Sequence, residues 1–357
     1  MQLLSLFGMI RNVAGGTEAA RGHRAVFDAY ERGRGMPDID IVPPELRAEV
    51  EKFDAAAEEI VEAIGRALNA QEPPPIIFHY TDDAGLRGII ESGKFWLTDI
   101  FNLNDPSELL HGFSHAITIL NHKASAGQPA TKRFAQGFET FGKEGGLQAS
   151  AHLFVLAFSS SGDELGQWRA YADNGRGYAL GFDAKTLEAA FIREGSNTDY
   201  GNNSFPVIYD DAALKRMHGQ IVDLIFPLLT LPDGKDLPSP VVSKYMLDLS
   251  IFLSMHVARS ALFYKHEAYS NEKEYRFLQM HQPKKPVPDV KFRTRPYSLV
   301  RYREFDWRSL APQALKQIII GPSADPQRGT QFARGCLRSF YSEDVEIVSS
   351  KIPYRAT

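Results

Sequence analysis

Cysteine is almost missing from this chain of 357 residues: Cys336 stands alone. An intrachain disulfide framework and a multi-cysteine zinc site are therefore excluded, and a reducing compartment, the cytoplasm, is the expected setting. Excess positive charge is missing too. Lys and Arg total 40 against 44 Asp and Glu, a net charge of −4, so no global field draws nucleic acid or an anionic membrane. Long apolar runs are scarce. The opening MQLLSLFGMIRNVAGG has no basic residue before its apolar stretch and is shorter than the roughly 20 residues a bilayer requires. It reads as a helix, and no membrane contact is expected. Internal repeats and low-complexity tracts are absent. What is present is 43% hydrophobic content, enough for one large domain or two modest ones.

Apolar residues Leu46, Val50, Phe53, Ala57, Ile60, Val61, Ile64 and Leu68 recur at three- and four-residue intervals after Pro44, which predicts an amphipathic helix over 44–70. The run QEPPP at 71–75 stops it, because proline cannot extend a helix. The division expected is an N-terminal helical region, 1–72, and a second unit, 73–357. Within the second, strands are predicted at 76–80, 94–98, 151–160, 176–183, 205–210, 274–280, 317–322 and 345–350. Helices are predicted at 83–92, from the loop 101–108 through His115, at 163–172, 243–263 and 326–340. Strands follow one another too closely for crossover helices, so the fold class is α+β with mixed or antiparallel sheets.

Three clusters concentrate polar chemistry at element ends. His79, Tyr80 and Thr81 close a short strand, Trp168 and Tyr171 lie on a short helix, and Glu272-Lys273-Glu274-Tyr275-Arg276 opens a strand. Strand ends are where a sheet gathers distant residues into one cleft. These segments, with Asn104-Asp105-Pro106-Ser107-Glu108, Phe158-Ser159, Trp168 to Ala172, Gly177 to Asp183, Lys265-His266 and Ile319-Ile320-Gly321-Pro322, resemble in order and spacing the bacterial domain-of-unknown-function family numbered 2971. That family is grouped with the ADP-ribosyltransferase-like superfamily. The resemblance spans about residues 76–350. It implies split, mixed antiparallel sheets flanked by helices and an NAD-consuming ADP-ribosyltransferase or NAD glycohydrolase, with a toxin or phage-defence role as the expectation. It also implies a site: Glu274, His79 and Tyr171 as catalytic residues, and His79, Tyr80, Thr81, Ser159, Tyr171 and Arg276 as contacts to NAD, the substrate. Glu272 is implied on the acceptor side, with no metal.

The residue types suit that chemistry. Breaking the nicotinamide–ribose bond builds positive charge on the ribose, which a carboxylate stabilises, and a flat aromatic ring holds the nicotinamide. Plainer readings stand beside each. His79 taken alone reads as a turn cap, a reading the resemblance reverses, and Trp168 falls on the packed stripe with Leu165 and Ala172 while Tyr171 does not. Asn104, Asp105 and Glu108 read as a helix cap, and Glu272 as an ordinary ion-pair partner of Lys265 or Arg276. His111 and His115 have ligand spacing but lack the rest of a zinc motif. The glycines of DNGRGYALGFD depart from the dinucleotide fingerprint and read as hairpin shapers. The stretch 284–303 holds Lys284, Lys285, Lys291, Arg293, Arg295, Arg301 and Arg303 among Phe292, Tyr297 and Tyr302. It reads as a solvated loop, a pyrophosphate holder, or a surface for single-stranded nucleic acid, with a protein or nucleic-acid acceptor open. A second class of function, a catalytically inactive nucleotide- or nucleic-acid-binding module on the same scaffold, also fits.

Overall fold

The computed structural model describes residues 41–103, 107–125, 129–143, 152–195, 200–281, 287–342 and 344–356. The helix expected at the N-terminus, the caps Asn104 and Asp105, and Lys284 and Lys285 lie outside them. The fold is α+β, with a mixed, mostly antiparallel sheet flanked by helices.

Helix α1 (Pro44–Asn69) starts on its proline pair and buries Leu46, Val50, Phe53, Ala57, Val61 and Leu68. It is the helix its periodicity predicts. All of that stripe but Leu68, which joins a smaller cluster with Ile100, Leu153 and Phe205, packs into one core with α3 (Ser107–Ser125), α4 (Pro129–Lys143), α7 (Asp211–Ile225) and α8 (Ser239–Ala261). Helix α8 is long and apolar enough to cross a bilayer by length and composition, with a mean hydropathy of 1.3. Its apolar residues are spent in this helical core instead. No sequence reading anticipated α4, α7 or α6 (Ala184–Gly195).

The sheet contains β1 (Ile76–Thr81), β2 (Phe95–Asp99), β3 (His152–Ser159), β4 (Tyr178–Asp183), β5 (Tyr200–Pro206), β6 (Glu274–His281), β7 (Lys291–Arg295), β8 (Ser298–Phe305), β9 (Leu315–Ile320) and β10 (Glu346–Ser349). Its order is β10-β9-β4-β1-β3-β2-β8-β7, with β6 also beside β3 and β5 beside β6. Strand β3 is the branch point. One edge runs fully paired to β6. The other is shared: β1 pairs with it at Ser159 and β2 at Val155 and Phe154. The sheet therefore splits between β1 and β2, and an aromatic core of Phe95, Phe158, Phe182, Phe277 and Trp307 packs on one face beside the split.

Helices α2 (Asp83–Ser92) and α10 (Pro326–Phe340) match the ranges expected for them. Asp82 accepts from the Gly85 N–H, and Gly93 ends α2 at φ 68°. Helix α5 (Leu165–Tyr171) follows β3, and the short α9 (Trp307–Leu310) follows β8. The glycines before β4 shape a turn, not a phosphate loop. Gly175 sits at φ 86°, and a Cβ on Gly177 would lie 2.1 Å from the Thr81 carbonyl oxygen. One expectation is overturned: the basic stretch read as a solvated loop is the hairpin β7–β8, at the end of the sheet path. Another shifts. The strand expected at 205–210 ends at Pro206, and its body is the polar YGNNSFP, held by pairing along β6.

Candidate functional site: a carboxylate pair around Lys265

Glu274 is the first residue of β6, opposite Ser159 on β3. Its backbone N–H donates to the Tyr209 hydroxyl at 2.8 Å. Its carboxylate is buried and engaged on both oxygens, by Arg276 Nε at 2.7 Å and Lys265 Nζ at 3.2 Å. Burial by itself would raise the Glu274 pKa. The Arg276 and Lys265 charges, with their hydrogen bonds, outweigh it and hold the carboxyl below its ordinary range.

Glu272 reaches the same cation by another route. It ends a 3-10 turn, Glu267–Glu272, and Lys273 follows at φ 45° in the left-handed region. Strand alternation therefore does not place the two glutamates together; the kink at Lys273 does. Glu272 Oε2 lies 2.6 Å from Lys265 Nζ, and its Oε1 accepts from the Tyr171 hydroxyl at 3.2 Å. Ser159 closes the back of the group by donating to the Glu272 carbonyl at 2.7 Å. Lys265 also lies over the exposed ring of Tyr269, 5.0 Å from its centroid. Burial, and then the Glu272 charge, push the Tyr171 hydroxyl pKa well up, so it stays a donor. Burial likewise pushes Tyr209 up to about 12.

Glu272, Glu274, Tyr171, Ser159 and Arg276 are thus gathered into one cluster. Sequence reasoning missed Tyr209, for which the apolar segment around it gave no signal. Tyr171 is 40% exposed while Trp168 is sealed, as the helical stripe implied. Arg276, expected to touch NAD, is 1% exposed and spends its guanidinium on Glu274 and the Leu262 carbonyl. It positions Glu274 and presents nothing to a phosphate.

His79 is not brought to this cluster. Phe78, Ser159 and Glu274 form one row across β1, β3 and β6, so their side chains share a face, and His79, one residue on, falls on the other. Its ring packs edge-on to Phe95 and Phe158, at 5.2 and 5.8 Å between centroids. Its Nδ1 donates to the Ala157 carbonyl at 3.1 Å. Ala157 lies on β3 between the residues that pair with β1 and those that pair with β2, where a ladder partner is lacking. Burial lowers the His79 pKa more than that bond raises it, so the ring is neutral near pH 7.

The other two residues of the strand end serve packing. Tyr80 is buried against Trp168, donates to the Ser161 carbonyl at 2.8 Å and accepts from the Glu164 N–H at 3.1 Å. Thr81 is buried beside Gly85 at the start of α2. His115 pairs with Asp211, 3.3 Å away, and the His111 side chain lies outside the described residues. Among those described, no group of His, Cys, Asp and Glu has a metal-binding arrangement.

Residues 167–277, under a third of the chain, match the family described as a protein of unknown function, DUF2971. The matched segment holds Tyr171, Tyr209, Lys265, Glu272, Glu274 and Arg276 and leaves out His79. No curated protein and no solved structure matches the chain.

Proposed function

We propose that this chain is an NAD-consuming ADP-ribosyltransferase or NAD glycohydrolase, working at the Tyr171–Glu272 edge of the cluster. One observation carries the reading: an exposed aromatic ring is tethered through its hydroxyl to a carboxylate that belongs to a pair. Tyr171 offers the flat surface for nicotinamide. Glu272 takes the part the resemblance gave to Glu274, because Glu274 is buried between two cations whereas Glu272 is only partly buried and one of its oxygens is held by the exposed Tyr171. In the reaction the C1′–N bond breaks and nicotinamide leaves with the bonding electrons. The Glu272 carboxylate stabilises the positive ribose, and a water or acceptor hydroxyl then bonds to C1′ and gives its proton to that carboxylate. Lys265 and Ser159 hold Glu272 in place, and Glu274 holds Lys265.

The test is nicotinamide release from NAD labelled in the adenylate half, with and without cell lysate. Glu272→Gln is expected to lower release at least about 100-fold with little change in unfolding midpoint, since losing one transition-state contact typically costs that much. Glu274→Gln is expected to lower stability first. Full turnover in Glu272→Gln would refute the assignment. Label retained on lysate material would identify transfer, and free ADP-ribose hydrolysis.

A second reading is favoured by a specific observation. Two carboxylates and two cations, Lys265 and Arg276, balance within the cluster, and His79 lies on the other face of the sheet. A catalytically silent nucleotide-binding module would show that balance. Calorimetric NAD binding without nicotinamide production would establish it.

A further inference from the structure

Independently of the NAD reading, the end of the sheet carries a second concentration of chemistry. Of nine large apolar or aromatic side chains exposed among the described residues, four lie on β2 and the β7–β8 hairpin: Trp96, Phe292, Tyr297 and Leu299. Residues 287–305 contain Lys291, Arg293, Arg295, Arg301 and Arg303 against Asp289 and Glu304, five positive to two negative, in a chain that is negative overall. Pairing sorts these residues by face. Trp96 is opposite Glu304, Thr98 opposite Tyr302, and Tyr302 opposite Lys291. Trp96, Lys291, Arg293 and Arg295 therefore line one face.

On that face the two arginines are held side by side without a counter-charge. Arg293 donates to the Thr98 hydroxyl at 3.3 Å and Arg295 to the Asn102 carbonyl at 3.1 Å, both neutral acceptors. Neither has an ion-pair partner among the described residues, and Arg293 Nε is buried with no hydrogen-bond partner. Glu304 on this face is engaged by Lys94 and Lys291, and Asp289 acts on Lys291, so neither carboxylate neutralises the two arginines. Burial, and then repulsion from Arg295, lower the Arg293 pKa, which an arriving anion relieves. The Arg293 guanidinium lies over the Trp96 indole at 5.3 Å, and that ring lies 4.6 Å from Tyr302. At the hairpin tip Tyr297 is fully exposed at φ 61°, a left-handed position that costs a tyrosine about 1 kcal/mol or more. A surface chosen only for solubility has no use for an aromatic there.

We propose that this face binds a single-stranded nucleic acid, with Lys291, Arg293 and Arg295 on successive phosphates and bases stacked against the Trp96–Arg293 pair and Tyr297. Unpaired bases are required because only they offer open faces for stacking on a strand platform. An acidic peptide would satisfy the arginines but leave the exposed rings without partners.

The experiment is fluorescence polarisation of labelled 20-mers of dT and of U with the full chain, at 50 and 200 mM salt. A duplex 20-mer, polyglutamate and anionic phosphatidylserine vesicles serve as rivals. Three phosphate contacts give a log–log salt slope near −2, at about 0.7 per phosphate on single strands. Arg293→Glu with Arg295→Glu is expected to weaken binding more than tenfold and to flatten that slope. Tyr297→Ala, a change confined to a fully exposed tip, is expected to weaken binding several-fold with the unfolding midpoint unchanged. Trp168 and Trp307 are sealed while Trp96 is 45% exposed, so ligand-induced tryptophan quenching must disappear in Trp96→Phe. A stronger signal from U than from dT would identify RNA as the partner class, and the reverse DNA. The proposal is overturned by no saturable binding at 50 mM salt, by binding indifferent to both the double-arginine change and Tyr297→Ala, or by polyglutamate, duplex or vesicles competing equally.

Discussion

Lys265 joins two carboxylates, so its removal tests whether the cluster is an electrostatic unit. Its Nζ lies 2.6 Å from Glu272 and 3.2 Å from Glu274, and its side chain and that of Glu274 are almost wholly buried. Breaking a buried pair by deleting one partner typically costs 3–5 kcal/mol. Glu274 keeps Arg276, so Lys265→Met is expected at the low end, about 3 kcal/mol, or a fall in Tm of roughly 6 °C for a chain of this size. The loss must depend on pH. The folded pKa of Glu274 is depressed, so its contribution is present above the ordinary carboxylate range and is lost as pH falls through the folded value. Lys265→Met raises that folded value. The deficit relative to the parent is therefore largest near pH 7 and shrinks toward pH 4. Urea unfolding at pH 4, 5.5 and 7 measures it, and adding Glu274→Gln to Lys265→Met should restore part of the loss, the coupling a double-mutant cycle isolates. A deficit under about 0.5 kcal/mol, or one constant with pH, would refute the reasoning.

Burial, and then the neighbouring His115, depress His218 to about 3, although it hydrogen-bonds Ser260 at 2.9 Å. An unfolded histidine takes up a proton below its ordinary value near 6.5 and the folded one does not. His218 therefore destabilises by about 1 kcal/mol per pH unit between 6 and 4, and His218→Gln should flatten that limb in pH-dependent unfolding. His79→Phe leaves the Ala157 carbonyl without its donor and should cost about 1–3 kcal/mol. Nicotinamide release per folded molecule should stay unchanged; a selective loss of turnover would return His79 to the site.

Legibility followed local signals. Helices α2 and α10 were legible in the sequence, and the structure shows why their ends are sharp: Asp82, Gly93, Asp325 and Pro326 are explicit start and stop residues. Helix α6 was hidden because its cap, Asp183, which accepts from the Thr186 N–H at 2.9 Å, is also the last residue of β4 and was read as strand only. The β7–β8 hairpin was missed because Pro288 and Pro296 and a string of charges resemble a loop; β7 has no buried residue and is held by pairing to β8, which alone buries Val300, Tyr302 and Phe305. Around the site, the spacing of Glu272 and Glu274 was visible but the left-handed Lys273 that aims Glu272 was not, because that conformation is imposed by the 3-10 turn before it. Trp168 was assigned to the core from its stripe. The placement of His79 depended on where β1 leaves β3, a long-range register that no local pattern encodes.

That register explains why an apolar strand should end in IFHYTD. The three polar residues answer three different neighbours. His79 supplies a donor to a carbonyl left open where two strands diverge from β3, Tyr80 ties the strand to the chain entering α5, and Thr81 packs under the first turn of α2. A branch in a sheet removes ladder partners from backbone groups that cannot go unpaired when buried, so polar side chains gather there whether or not a ligand does. The consequence for function is geometric. A dinucleotide that touched both His79 and Glu272 would have to cross the plane of β3, so the proposed use of NAD at Glu272 rests on groups of that face alone, Tyr171 and Tyr269 foremost.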